Sequence, residues 1–206
     1  MRATPRSYRG RTADERRAER RAKLIGAALE IWGEQGWAAV TMRGVCARTG
    51  LVNRYFYENF ADRDALLLAV WQRIRDETVG LLLHAISDQP RNPEALLRAA
   101  ASAFVHALID DPRRARIGFG EHAGSPVLEQ ARRESLEHFT RLLIETGRPF
   151  FRPGIDETDL HMTVYMAIGG FSELVTAWLG GAVPVDAETL IDHATRTGMT
   201  LTADYL

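Results

Sequence analysis

The stretch Thr41-Met42-Arg43-Gly44-Val45-Cys46-Ala47-Arg48-Thr49-Gly50-Leu51-Val52-Asn53-Arg54-Tyr55-Phe56-Tyr57-Glu58-Asn59-Phe60-Ala61-Asp62-Arg63-Asp64-Ala65-Leu66 decides the fold. Its spacing predicts two short helices joined by a turn at Gly50. The first runs from Thr41, a plausible N-cap, to about Arg48. The second covers roughly Val52 to Glu58. Glycine at position 50 frees the backbone for a positive φ, and small Ala47 is expected to let two helices approach closely. Phe56 and Phe60 are four residues apart, so they share a helical face and are expected to anchor the second helix to a core.

Two short helices at this spacing, flanked by longer ones, form a helix-turn-helix pattern, in which the second short helix enters the major groove of DNA. Residue roles follow from chemistry. Asn53, Arg54, Tyr55 and Tyr57 can point outward; Arg suits guanine edges and Asn suits adenine. Tyr57, Asn59, Arg63 and the Thr41 hydroxyl are placed for phosphates, and Arg43 suits either role. Phosphate contacts fix register and carry no sequence information.

Working outward, residues 1–13 are an Arg-rich arm without periodicity. It reads either as a solvated tail or as an extension that reaches a groove or phosphates. Asp14 and Glu15 favour a helix start. Leu24, Ile25, Ala28, Leu29, Ile31 and Trp32 then make one apolar stripe, and Gly36 sits where a left-handed stop is expected. On the other side, Asp62 is an N-cap candidate for a long helix carrying Leu66, Leu67, Val70, Trp71, Ile74, Leu81 and Leu82. After Pro5 the next proline is Pro90, and seven prolines punctuate the rest. Helices are predicted from Pro93 to Ile109, from Pro112 to about His122, and from Ser125-Pro126 to Thr146 with Gly147 past the end. Two more are predicted, from Asp156 or Thr158 to Leu179 and from about Asp186 to Ala203. No alternating strand is evident. The expected class is all-α: an N-terminal three-helix helix-turn-helix domain over residues 14–63, then a C-terminal helical bundle over residues 64–206.

Charge supports this division. The net charge of −1 is the sum of opposed parts. Residues 1–63 hold 13 basic and 7 acidic side chains, and residues 64–206 hold 13 and 20. A basic head on an acidic body suggests a polyanionic partner for the head alone. Because 25 of the 26 basic residues are Arg, Arg identity by itself says little. Other classes fall away. Cys46 is the only cysteine, so no disulfide forms within the chain, and a core thiol is expected. The histidines show no ligand spacing, so no metal is expected. No nucleophile elbow, P-loop or dinucleotide motif is present, which argues against an enzyme and against a cofactor. No uninterrupted apolar run approaches the ~18 residues of a membrane span, and no signal peptide is evident, so a cytoplasmic protein is expected.

The pattern Thr41…Gly50-Leu51-Val52-x-x-x-Phe56-Tyr57-x-Asn59-Phe60-x-x-Arg63-x-Ala65-Leu66 resembles the signature of the TetR family of bacterial transcriptional regulators. There are departures. The family often has a hydroxyl residue where Val52 stands; Val cannot cap, and Asn53 is a substitute that would move the helix start by one residue. Gly44 replaces the acid that would complete a capping box with Thr41. Asn59 replaces a frequent His, and Tyr55 a residue that is usually small or hydroxylated.

The resemblance implies a homodimer built from the last two long helices. The stretch from Asp156 to Leu179 accords with this, because it is apolar on two faces. One holds Leu160, Val164, Ile168, Phe171, Val175 and Trp178, and the other Met162, Tyr165, Met166, Gly169 and Ala177, with Glu173 among them. A central helix of a monomeric core would read the same way. The resemblance also implies an unknown small-molecule effector. Trp71, Phe104, Phe119, Phe139, Tyr165 and Met166 are candidates to line its cavity, with His106, Arg116, His122 and Glu173 as polar selectors. The implied function is a ligand-responsive repressor that binds a palindromic operator as a dimer. The alternatives are an activator or a ligand-independent DNA binder and, more distantly, a helical enzyme.

Overall fold

The computed structural model describes residues 12–120 and 122–206. Residues 1–11, most of the Arg-rich arm, lie outside it. The described residues form nine α-helices, three short 3-10 turns and no strand. They divide into two compact units, one ending at Gln72 and the other beginning at Arg73.

In the first unit, α1 covers Ala13–Gln35, α2 Met42–Thr49 and α3 Asn53–Tyr57, and α4 begins at Arg63 and runs to Ser87. The start of α1 is set by a capping box that the acidic residues alone did not reveal: the Thr12 hydroxyl accepts from Glu15 N, and Glu15 accepts from Thr12 N. Gly36 ends α1 with φ +88°, but its ψ of 163° is extended, so it is not the left-handed stop expected. The chain instead turns through a 3-10 segment, Trp37–Ala39, before Thr41 caps α2 by accepting from Gly44 N at 3.1 Å. Gly50 takes the left-handed conformation, φ +69° and ψ 14°. Val52 stands at the N-cap of α3 without a side-chain bond. Asn53 is the first helical residue and does not replace it, so the helix start does not move.

The core of this unit is Leu24, Ala28, Trp32, Val40, Val45, Phe56, Phe60, Leu66, Leu67 and Val70, all buried. Trp71 is buried with them, its ring 6.5 Å from that of Trp32. The first turns of α4 therefore belong to the head, and the division falls after Gln72, nine residues later than the charge pattern implies. Cys46 is a buried free thiol whose pKa is raised by burial, which makes it a poor nucleophile. Ala47 is exposed; its small size is not used for helix packing within the unit.

The second unit contains the rest of α4, then α5 (Pro93–Asp110), α6 (Pro112–Phe119), α7 (Pro126–Gly147), α8 (Glu157–Leu179) and α9 (Ala187–Thr202). Asn92, Asp111, Asp156 and Asp186 cap α5, α6, α8 and α9 through their side chains. Proline opens α5, α6 and α7. Helix α5 packs along α9, and α8 packs on both α7 and α9. One core joins Ala101 and Val105 to Leu190 and Ile191, with Phe171, Leu174 and Trp178 against them. Another joins Ile144, Leu160, Val164 and Tyr205. Gly147 lies inside α7 and not beyond it, with φ −76°. A Cβ there would stand 2.7 Å from the Phe151 ring, so the position requires space, not an unusual backbone.

Candidate functional site

Helix α3 has five residues, too few to be stable alone. Its inner side is held by Phe56, 1% exposed, whose ring lies 5.8 Å from that of Phe60. Its C-terminal end is held by three arginines of α1. Arg17 donates to the Glu58 carbonyl at 2.6 Å and Arg21 to the Asn59 carbonyl at 3.2 Å. Arg20 pairs with the Glu58 carboxylate at 3.5 Å and lies over the Tyr55 ring. Guanidinium charge at helix C-terminal carbonyls is favourable both as hydrogen bonding and against the helix dipole. On α2, Arg48 makes a two-pronged contact with Glu34 at 3.0 and 3.1 Å. Much of the positive charge of the head thus serves to hold the short helices on α1.

Against that framework the predicted residues separate. Asn53, Arg54 and Tyr57 are exposed on α3, Tyr57 at 61%. Arg54 makes an exposed i,i+4 pair with Glu58. Thr41 and Arg43 are exposed at the start of α2. Arg43 has no hydrogen bond or ion pair among the described residues. Tyr55 is half-buried under Arg20 and so is less open than expected.

Two residues are placed otherwise than a phosphate role requires. Asn59 is turned inward: its Nδ2 donates to the Tyr55 carbonyl at 2.7 Å, which closes the end of α3. Arg63 is turned onto the 3-10 segment. Its Nε donates to Val40 O at 2.6 Å and its Nη2 to Trp37 O at 2.8 Å and Ala38 O at 3.3 Å. Its guanidinium sits 5.0 Å from the centroid of the Trp37 ring.

The second unit carries a half-open cleft of about 260 Å³, lined by Gly118, Phe119, Gly120, His122, Ala123, Glu129, Arg132, Glu173 and Thr176. Of the predicted effector residues it brings together Phe119, His122 and Glu173. Phe104 stands behind, its ring 5.8 Å from Phe119 and 5.7 Å from Phe171. Arg132, which forms an ion pair with Glu173, was missed, as were Glu129 and Thr176. Glu129 and Arg132 read as an ordinary solvated face of α7, and only the tertiary fold turns that face toward Glu173 and Thr176 on α8. His122 is 7% exposed. Its Nε2 donates to Ile117 O at 2.9 Å, since a carbonyl can only accept. Desolvation pushes its pKa below the usual imidazole value, assisted by the charge of Arg132.

The other predicted effector residues lie elsewhere. Trp71 is in the head. His106 is exposed and bonds back to Ser102 of its own helix. Arg116 is exposed on α6 and does not line the cleft. Phe139 is half-buried beside His138. Tyr165 and Met166, 62% exposed in the case of Met166, face outward from α8 with Met162. Those three mark the outer of the two apolar faces, while Leu160, Val164 and Val175 mark the buried one. Among the described residues α8 alone has the length and apolarity of a membrane span, with a mean hydropathy of 1.2. Its buried inner face and its capped, acidic start fit a bundle helix. No cluster of three or more His, Cys, Asp or Glu suited to a metal occurs among the described residues.

Residues 24–70 match the model of the bacterial regulatory proteins of the tetR family. The N-terminal unit is a TetR-family domain. The matched span starts at the buried Leu24 and ends at Val70, so it takes in the same first turns of α4 that pack into the head. A curated relative, the HTH-type transcriptional activator FasR of Mycolicibacterium smegmatis, is 33% identical over 103 residues, 50% of this chain and 47% of that protein. The match thus spans about half the length of that relative. Two solved structures are alike over nearly the whole chain. The fatty acid degradation regulator FadR of Bacillus halodurans has a TM-score of 0.69 and 19% identity, covering 88% of this chain and 94% of its own. FadR of Bacillus subtilis, in complex with stearoyl-CoA, has a TM-score of 0.68 and 17% identity, covering 90% and 99%. At such identities the likeness is one of fold, and it extends the TetR-like architecture through the all-α second unit.

Proposed function

We propose that this chain is a DNA-binding transcriptional regulator that works in the cytoplasm and binds a palindromic operator as a homodimer. The observation that carries the reading is the display of Asn53, Arg54 and Tyr57 on α3. The inner side of that helix is fixed by Phe56 and its end by Arg17 and Arg21. A rigid short helix with polar, exposed side chains suits base edges in a major groove. Thr41 and Arg43 at the start of α2 supply phosphate contacts beside it. The outer face of α8, with Met162, Tyr165 and Met166, joins α9 in pairing with a second copy. Each head then meets one half-site, about one helical turn or more apart.

The cleft beside His122, Arg132 and Glu173 receives the effector. It is smaller than the ~300–1,000 Å³ typical of sites for drug-sized ligands, so small amphiphiles suit it better than a long acyl chain with its nucleotide. An effector that binds one conformation better than the other shifts the population of heads able to grip DNA. In our reading that release makes the protein a repressor. Activation is the second reading, favoured by the likeness to FasR, a curated relative that is an activator.

The test is a gel shift of the full chain against DNA from upstream of its own coding region and its neighbours, repeated with candidate effectors. Sequence-specific retardation relieved by one of them supports the proposal. Absence of specific binding to any genomic DNA removes it.

A further inference from the structure

We infer that Arg63 is a positioning residue for the start of α2 and not itself a phosphate contact. This rests on the DNA-binding reading above.

Three carbonyls, at Trp37, Ala38 and Val40, lie where the chain leaves α1 and has not yet entered α2. Trp37 O already accepts from Val40 N at 3.1 Å and has a second lone pair to offer, while the carbonyls of Ala38 and Val40 stand outside any regular helical ladder. One guanidinium meets all three, through Nε to Val40 O and Nη2 to Trp37 O and Ala38 O. The Nε–Nη2 edge is one with which Arg grips an oxyanion bidentately. Here it faces protein carbonyls, and the Trp37 ring packs on the same guanidinium.

The consequence lies one residue further on. Val40 is fully buried, and the next residue is Thr41, whose hydroxyl caps α2 through Gly44 N. Arg63 therefore fixes the peptide from which the Thr41 side chain and the first turn of α2, with Arg43, project. Its own backbone is fixed in turn, because Asp62 caps the start of α4 by accepting from Ala65 N at 2.8 Å. The start of α4 and the start of α2 are thereby tied by a single side chain.

Lysine is the discriminating substitution. It keeps the positive charge, which is what a phosphate contact needs. It lacks the fork that bridges Val40 O and Trp37 O, and its compact ammonium stacks less well on Trp37. We would measure operator affinity of the full-length wild type, Arg63→Lys and Arg63→Gln across a salt series. Amide hydrogen exchange would be recorded at Gly44 and Val45 and, for comparison, at Glu58 and Phe60.

Positioning predicts that both variants bind the operator about tenfold more weakly, the scale of one lost charge-assisted hydrogen bond. It predicts an unchanged salt slope and faster exchange confined to Gly44 and Val45. A direct phosphate contact predicts a near-normal Lys variant and a Gln variant whose slope falls by about 1, and that result overturns the inference. Equal acceleration at all four amides also overturns it, since that is plain destabilisation. Should Arg63→Lys fail to fold, Trp37→Leu removes only the stacking and is read by the same exchange pattern. A wild type that binds no DNA would refute the function, while the exchange data would still judge the tie.

Discussion

The guanidinium of Arg20, on α1, lies over the ring of Tyr55, on α3, with Cζ 4.5 Å from the ring centroid. Such a contact is worth about 0.5–1 kcal/mol at an exposed site. It fixes the direction of Tyr55, which stands in α3 where the family usually has a smaller residue. Arg20→Met keeps most of the stem and loses the cation. The expected outcome is altered preference at the base pairs that Tyr55 faces, at the same operator positions altered by Tyr55→Ala. Selection from a randomised half-site measures both. A normal profile for Arg20→Met beside a changed one for Tyr55→Ala would show that the ring needs no such support.

Arg43 and Tyr57 are expected to act on DNA in different ways. Arg43→Ala removes an exposed cation and should lower the salt slope by about 1 while weakening all sequences alike. Tyr57→Phe removes a neutral hydroxyl and should weaken binding with the slope intact. Filter binding over a salt series separates them, and an unchanged slope for Arg43→Ala contradicts its phosphate role.

Phe56 joins α3 to the core. Phe56→Ala should cost about 3–5 kcal/mol in the head, the usual range for a fully buried Phe. Chemical denaturation followed by tryptophan fluorescence measures it, since Trp32, Trp37 and Trp71 all lie in that unit. A loss below about 1 kcal/mol would mean that the core closes over the cavity or that α3 is held by the α1 arginines alone.

The outer face of α8 should be sensitive to charge only in the assembled protein. Met166 is exposed in the single chain, so Met166→Glu should leave its fold intact. In a dimer closed over that face the carboxylate would be buried without a partner, and association should fail. Sedimentation at several concentrations measures the outcome. An undisturbed dimer would move the interface elsewhere.

His122 gives the second unit a pH dependence. Burial holds its folded pKa below that of the free imidazole, so the unfolded chain takes up the proton first. The stabilisation from keeping it neutral is complete above the unfolded value of about 6.5. It declines as pH falls from there toward the lowered folded value. His122→Gln should flatten that part of the stability–pH curve. Thermal melts of both proteins between about pH 7 and 5 test it; parallel curves refute the assignment.

Much of this architecture was legible in the residues. The long helices were bounded correctly to within a few residues because Pro and the acidic caps Asp156 and Asp186 mark their ends locally. The anchoring pair Phe56 and Phe60 followed from helical spacing alone. What was not legible depended on contacts between segments distant in the chain. Nothing near Arg63 announces that carbonyls 23 to 26 residues earlier will claim its guanidinium. Nor does anything near Asn59 show that its amide will turn back on Tyr55. The cleft failed for the same reason: Arg132 and Glu173 are 41 residues apart and meet only when α7 lies against α8. Gly147 misled because a glycine needed for the closeness of Phe151 looks, in sequence, like one needed for a turn.

The division of labour on α3 bears on how such a protein changes over generations. Anchoring falls to Phe56 and to carbonyl oxygens gripped from α1, and backbone carbonyls are present whatever the side chain. The outward residues Asn53, Arg54 and Tyr57 carry almost none of it. On the DNA-binding reading proposed above, single substitutions at those three positions redirect the protein to a new target sequence while every intermediate remains folded, so a duplicated copy can acquire a different set of genes one mutation at a time.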